Sequence, residues 1–170
     1  VIAHLKNSFA DVSVTRGVEH SYLGMRVRLT DDHLELDMSG YIDKIISARV
    51  PRKKSPNPAG PNLMCESEDA ALLNDRDQKA FHTDVAKALF LAKRVRMMTL
   101  PAVSVLAGRV GKATTEDLDK LDRVYEYLAS SKDMVMRYRF GGELDLSAFV
   151  DASWAVHDDC HGRTGIVIMM

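Results

Sequence analysis

The apolar residues of this chain follow two different periods, and each change of period marks a new element. Residues 1–9 repeat apolar side chains at helical spacing, which predicts a short helix. From Tyr22 the period falls to two, and after the turn at residues 30–32 the alternation returns. The apolar side chains of these two arms are Leu23, Met25, Val27, Leu29, Leu34, Leu36 and Met38. The pattern predicts an antiparallel hairpin in which arginines of one arm face carboxylates of the other.

Helical spacing resumes after the hairpin. Residues 39–50 predict a helix with Ser39 as its N-cap, because a hydroxyl at that position can accept a free backbone N–H. Residues 51–76 contain four of the five prolines and predict a long connection with little regular structure.

Three further helical segments are indicated before the end of the chain. Residues 76–98 form the first, with Phe81, Val85, Leu89, Ala92 and Val95 at helical spacing. Pro101 suits the first turn of a second segment. In the third, residues 114–131, Thr114 is a predicted N-cap and the acidic residues that follow favour the positive end of the helix.

Strands are predicted again near the end. Residues 133–140 and 144–152 read as two strands separated by Gly141-Gly142, which indicates a turn and a domain boundary. The chain begins inside a predicted helix and stops on an apolar strand, so we expect a piece of a longer protein.

Composition narrows the class of protein. The 170 residues, 46% hydrophobic and 28% charged, are typical of one soluble globular domain or of one domain plus part of another. A net charge of -1 does not by itself indicate nucleic-acid or membrane binding. Two cysteines argue against a disulfide scaffold. With no secretory signal and no apolar run of about 20 residues, we expect an intracellular protein that does not cross a membrane.

Six motifs in one order carry a resemblance to a known family. They are YLGMRV, GYIDKII, FHTDVAKALFLAKRVR, AVSVLAGRV, EDLDKLDRVYEYL and VDASWAVHDDCHGRTG. The set resembles the C-terminal part of copia-type retrotransposon reverse transcriptases, running into the ribonuclease H domain. The resemblance implies an α+β fold in which residues 1–140 hold the end of the palm, the primer-grip hairpin and thumb or connection helices. Residues 141–170 would be the truncated start of a ribonuclease H-like domain.

The resemblance also implies roles for individual residues. Tyr22, Gly24 and Met25 match the hairpin that grips the primer strand, where a glycine allows close approach of the backbone. Asp151 matches the first metal-binding, catalytic aspartate of ribonuclease H. The parent enzyme would use Mg²⁺ or Mn²⁺ on an RNA–DNA hybrid or a primer–template duplex, and the remainder of the polyprotein would be a partner.

Departures from the family limit what this chain could do alone. Arg96-Met97-Met98 stands where the family usually has Arg-Pro-Asp. The polymerase carboxylate pair would lie before Val1, and the other ribonuclease H ligands beyond Met170. Asp31-Asp32 cannot replace that pair, because they sit in a hairpin turn. We therefore expect no tightly bound metal here, and whether the chain belongs to an active enzyme stays open.

Each candidate residue also has a plain structural interpretation. Asp151 alone could be an ordinary strand-end aspartate. The run from His157 to His161 contains zinc-ligand residue types, but without a second cluster it favours a polar loop. Lys93, Arg94 and Arg96 could contact phosphates, or could be a solvated helix end. The function expected is that of a reverse transcriptase fragment, with an inactive relic or a co-opted nucleic-acid-binding or interaction module as the alternative.

Overall fold

The computed structural model describes residues 2–9, 11–67, 69–141, 146–153 and 162–169. After one short helix, three strands, four helices and three more strands follow one another along the described chain. In chain order they are α1 (Ile2–Ser8), β1 (Glu19–Tyr22), β2 (Met25–Leu29), β3 (His33–Asp37), α2 (Ser39–Ala48), α3 (Asp75–Ala92), α4 (Leu100–Ala107), α5 (Thr115–Ser130), β4 (Met136–Arg139), β5 (Ser147–Ser153) and β6 (Arg163–Met169). A single 3₁₀ turn, Met97–Thr99, leads into α4.

Four of the strands form one antiparallel sheet in the order β1-β2-β3-β4. The predicted hairpin is its centre, with Arg26 opposite Asp37 and Arg28 opposite Glu35. β4 joins the free side of β3 and places Arg137 opposite Glu35. The sequence pattern predicts β4 as a strand, but it does not predict that β4 pairs with β3.

The start of the predicted hairpin needs correction. The alternation that begins at Tyr22 crosses a tight turn, because Tyr22 pairs with Met25 and only Leu23 and Gly24 lie between them. Both turn residues have positive φ, 49° for Leu23 and 77° for Gly24, as a two-residue turn between twisted strands requires. The preceding strand, β1, was not predicted, because its residues do not alternate between apolar and polar.

Helix starts are only partly as predicted. Thr114 is the N-cap of α5, in a capping box with Asp117, and Pro101 lies in the first turn of α4. Ser39 as an N-cap was wrong, because Met38 occupies that position and makes no side-chain cap. Ser39 donates instead from its backbone N–H and its hydroxyl to the two carboxylate oxygens of Asp37, at 2.8 and 3.0 Å.

The predicted helix 76–98 divides into shorter pieces. α3 begins one residue earlier, capped by the side chain of Asn74, and ends at Ala92. Beyond it the chain turns, and the 3₁₀ turn and α4 follow. Ending the helix there lets α4 pack back against α3, which buries side chains from both.

The core lies where α2, α3, α4 and α5 meet the apolar face of the sheet. Its fully buried members include Ile42, Phe81, Val85, Leu91, Val103, Leu106, Leu121, Val124 and Leu128. Met25, Leu36 and Met136 pack against them from the sheet. Each fully buried side chain of this size stabilises the fold by roughly 1.5–3 kcal/mol before entropy is subtracted.

β5 and β6 form a separate two-stranded sheet, with Ser147 paired to Met169 at one end and Ser153 to Arg163 at the other. The chain passes from the first sheet to the second between residues 140 and 146, near the predicted domain boundary, although Gly142 lies outside the described residues. A ribonuclease H-like domain at this point stays a prediction. None of the described helices combines the length and apolar character needed to cross a membrane.

Candidate nucleic-acid interface

The β1–β2 turn exposes two of the residues that the resemblance assigned to primer gripping. Tyr22 is exposed, as is Leu23 beside it. A side chain at Gly24 would meet no atom within 4 Å, so the backbone there is open to a ligand. Met25 is different, because it is half-buried and packs against the core. The turn can therefore touch a ligand through Tyr22 and Gly24, with Met25 fixing it to the body of the protein.

One face of the four-stranded sheet presents arginines to solvent. The side chains of Arg26, Arg28 and Arg137 are 50–67% exposed, whereas those of Glu35 and Asp37 beneath them are only 14% exposed. Arg26 donates to Asp37 at 2.5 Å, and Arg137 donates to Glu35 through Nε at 2.8 Å. The carboxylates hold the guanidinium groups in place, and the outer surface is mainly cationic.

The pKa values of these carboxylates follow from the same contacts. The hydrogen bond from Arg137 holds the pKa of Glu35 below its ordinary value. For Asp37, burial works to raise the pKa, but hydrogen bonds from Ser39 and Arg26 together keep it below its ordinary value. Both carboxylates therefore stay charged at neutral pH, which keeps the arginines oriented.

A surface groove lies between α2 and α3. It has a volume of about 460 Å³ and is lined by Tyr41, His82, Thr83, Ala86, Lys87 and Phe90. The rings of Tyr41 and Phe90 lie 5.3 Å apart between centroids. We call it the aromatic groove. Aromatic faces beside cations are the chemistry that stacks bases and attracts phosphates.

Arg94 extends this groove. Its guanidinium lies 3.6 Å from the centroid of the Phe90 ring and donates to the carbonyl oxygen of Phe90 at 2.9 Å. Lys93 is exposed next to it. Of the three basic residues that the sequence singled out, Arg94 thus contacts a ring of the aromatic groove, and Lys93 is its exposed neighbour in the chain.

Arg96 does not belong to this surface. Only 1% of the residue is exposed, and its guanidinium donates to the carbonyl oxygens of Val95, Ser131 and Lys132 at 3.0–3.1 Å. Burial lowers its pKa. The phosphate contact predicted for Arg96 is corrected on this ground, because a phosphate could reach the guanidinium only if the surrounding chain moved.

Asp151 is exposed on β5, opposite Gly165 of β6. Within the ranges that the structure describes, no three His, Cys, Asp or Glu residues lie close enough together to hold a metal ion. The run from His157 to His161 lies outside the described residues.

Sequence reasoning missed Tyr41 and Phe90 as members of an interface. One signal was present, since Phe90 precedes Arg94 by four residues and such pairs meet on a helix surface. Tyr41 was assigned to an apolar stripe, and only the approach of α2 to α3 brings it beside Phe90.

Comparison with known proteins gives one informative match. Neither a family model nor a solved structure matches the chain. Over 96 residues, 56% of its length, the chain is 30% identical to the "Putative transposon Ty5-1 protein" of Saccharomyces cerevisiae. The match spans only 31% of that protein. The chain is therefore related to a transposon protein, of which it corresponds to less than a third.

Proposed function

We propose that this transposon-related chain is the C-terminal part of a copia-type retrotransposon reverse transcriptase, where it holds the nucleic-acid duplex. Its relation to a transposon protein supports the retroelement origin. The collinear set of motifs supports the narrower assignment. The parent polyprotein would act inside the cell, in a cytoplasmic particle or the nucleus. It would copy RNA into DNA with Mg²⁺ or Mn²⁺. Asp151 would supply the first metal-binding carboxylate of its ribonuclease H domain.

The observation that carries this proposal is the aromatic groove with its attached cations. Tyr41 and Phe90 offer ring surfaces, Arg94 lies over one of them, and Lys93 is exposed alongside. Such a surface favours phosphates through charge and unpaired bases through stacking, without selecting a sequence. The exposed tip at Tyr22 and Gly24 is proposed as a second contact, on the primer strand.

Binding of a labelled RNA–DNA hybrid to the full chain, followed by fluorescence anisotropy across a salt series, tests the proposal. We expect weak, sequence-indifferent binding that falls steeply with salt, because each neutralised phosphate releases counterions. The double variant Lys93→Ala/Arg94→Ala removes two such contacts and lowers the slope of log K against log salt by about 1–2.

The matched control is Lys54→Ala/Lys112→Ala, which removes the same charge from exposed residues that do not line the aromatic groove. If both double variants lose affinity equally, general charge rather than the groove is responsible. Binding that ignores salt, or no binding even at low ionic strength, would contradict the proposal.

An inactive relic or a co-opted binding module would keep the duplex affinity without the chemistry. The substitution of Arg-Pro-Asp by Arg96-Met97-Met98 favours this second candidate. Sequencing the transcript on both sides separates the two. In-frame polymerase and ribonuclease H carboxylates indicate the enzyme, and frameshifts or missing carboxylates indicate the relic.

A further inference from the structure

The aromatic groove has room for a planar ring. Its lining residues on α3, from His82 to Phe90, follow helical spacing along one side of the helix, and Tyr41 of α2 completes the lining. Ala86 is exposed in the middle of this row, where its small side chain leaves the groove open. The volume of about 460 Å³ is within the range of small-molecule sites.

Arg94 and Phe90 form a stacked pair at the groove. The guanidinium carbon lies 3.6 Å from the ring centroid, which is van der Waals contact, so one face of Phe90 is covered. The ring of Tyr41 and the outer side of the guanidinium remain as flat surfaces, since both residues are only half-buried. Nucleic-acid bases stack on aromatic rings and on guanidinium planes alike. The groove therefore offers two stacking surfaces of different chemistry.

The guanidinium of Arg94 is also free to receive an anion. One of its nitrogens donates to the carbonyl oxygen of Phe90 at 2.9 Å, which holds the group on the ring. Within the ranges that the structure describes, its other nitrogens donate to no residue and reach solvent. Lys87 differs, because its ammonium group donates to Asp84 at 2.9 Å. Arg94 therefore offers its remaining donors to a phosphate.

A base that is paired within a duplex cannot use these stacking surfaces. Its faces are already covered by the neighbouring bases and its edge is paired, whereas an unpaired base has a free face. Stacking also tolerates every base, because each has a π-face. The groove is thus suited to distinguish unpaired from paired nucleotides without distinguishing one base from another.

We propose that the aromatic groove binds one unpaired nucleotide of a strand. Its base stacks on Tyr41 and on the guanidinium of Arg94, and its phosphate accepts from the outer donors of Arg94. The preferred ligand is then an RNA–DNA hybrid with a single-stranded extension rather than a blunt hybrid. This inference rests on the proposed function, which it deepens by naming the part of the nucleic acid that enters the groove.

The test compares three labelled hybrids of one duplex sequence by fluorescence anisotropy with the full chain. One hybrid is blunt, one carries a short single-stranded extension, and one carries an extension of the same length built from abasic nucleotides. The abasic extension keeps every phosphate and lacks only the bases, so its charge equals that of the normal extension. We expect the extension with bases to bind at least about fivefold more tightly than the abasic one.

The blunt hybrid distinguishes a failure of this inference from a failure of the proposed function. If the hybrids bind with a steep salt dependence but the bases of the extension add no affinity, the site for an unpaired nucleotide is overturned and the proposed function stands. If no hybrid binds even at low ionic strength, both are overturned.

Adenosine monophosphate separates a strand from a free nucleotide as the occupant. It lacks the attached duplex, so we expect it to displace the extended hybrid only at concentrations far above the Kd of that hybrid. Displacement at concentrations comparable to that Kd would indicate a site for free nucleotides and would overturn the inference.

Ala86→Leu places an apolar side chain in the groove. Position 86 is exposed within α3, and leucine favours a helix, so the variant is expected to fold. The new side chain would lean toward the N-terminus of α3, over His82 and Thr83. We expect the ratio of affinities for the extensions with and without bases to fall to about one.

Ala80→Leu is the matched control, at an exposed position of the same helix that does not line the groove. Its side chain would lean away from the groove, and the ratio should stay as in the natural chain. Melting temperatures of both variants check that they are folded. If Ala86→Leu keeps the preference for bases, the unpaired base stacks elsewhere on the protein and the groove is not its site.

Discussion

Basic residues that lie next to one another in the sequence have different roles here. Lys93 is exposed, Arg94 lies over Phe90, and Arg96 is buried. Arg96 donates to carbonyls just past the end of α5, where the helix leaves acceptors without intrahelical partners and carries partial negative charge. A guanidinium suits this position because its several donors can satisfy several carbonyl oxygens at once.

Replacing Arg96 should therefore destabilise the fold. Arg96→Met keeps much of the apolar stem but leaves the carbonyls of Val95, Ser131 and Lys132 without their donor. We expect the free energy of unfolding to fall by about 1.5–3 kcal/mol, measured by urea denaturation. Lys93→Met, at an exposed position, should change it by less than about 0.5 kcal/mol. Equal effects of the two would show that Arg96 is not a structural residue.

Tyr125 gives the fold a dependence on alkaline pH. Its hydroxyl donates to the carbonyl oxygen of Asp84 at 3.1 Å, and burial raises its pKa well above the ordinary value. The unfolded chain loses this proton near pH 10, but the folded chain keeps it, so stability is complete below about pH 10 and falls as the pH rises further.

The slope contributed by Tyr125 approaches about 1.4 kcal/mol per pH unit above the unfolded pKa. Urea midpoints measured between about pH 8 and about pH 11 should therefore fall at the alkaline end. Tyr125→Phe should flatten that fall. A variant whose midpoint declines as steeply as that of the natural chain would rule out Tyr125 as the cause.

At the scale of single elements, the β1–β2 hairpin depends on backbone conformation more than on contacts. Leu23 and Gly24 both adopt positive φ, which side chains other than glycine tolerate poorly. No atom would obstruct a Cβ at Gly24 or at Gly40 in α2. A Cβ would thus meet free space at both glycines. The two positions form a matched pair that differs in backbone conformation, with a positive φ at Gly24 and a helical backbone at Gly40.

Gly24→Ala should lower the free energy of unfolding by about 1 kcal/mol, because alanine is strained at a φ of 77°. Gly40→Ala should raise it by about 0.5–1 kcal/mol, because alanine favours the helix. Thermal melting of both variants measures the difference. If both alanine variants were less stable than the natural chain, contacts of the added methyl group, not backbone conformation, would explain the change in the free energy of unfolding.

At the scale of the whole molecule, the two sheets differ in how they are supported. The apolar face of the four-stranded sheet packs on the helical core through Met25, Leu36 and Met136. β5 and β6 form only a two-stranded sheet, and apolar side chains such as Phe149 and Ile168 are exposed on it. An isolated pair of strands is marginally stable in water.

Hydrogen exchange on the full chain should show this difference. Amides of β2 and β3 should exchange only with the global opening of the core, whereas those of β5 and β6 should exchange with much lower protection. Heteronuclear spectra recorded after dilution into D₂O measure both sets in one sample. Equal protection would indicate that β5 and β6 gain support from elsewhere in the protein.

Short-range physics made several elements predictable. Thr114 and Pro101 lie where the sequence placed them, because caps and first turns depend on residues only a few positions away. The opposed arginines and carboxylates of β2 and β3 were equally visible, since one turn fixes their register. Ser39 shows the limit of such local prediction. Its hydroxyl donates to the carboxylate of Asp37 and does not cap the helix.

The sequence by itself determined most of the helices and strands, the central hairpin and the relation to a transposon protein. Only the tertiary structure decided which distant segments meet. It paired Arg137 with Glu35, 102 positions away, and brought Tyr41 beside Phe90. It also buried Arg96 and Glu126. The reason is physical: local periodicity reports which side of an element is apolar, whereas burial of a charged side chain depends on packing between elements far apart in the chain.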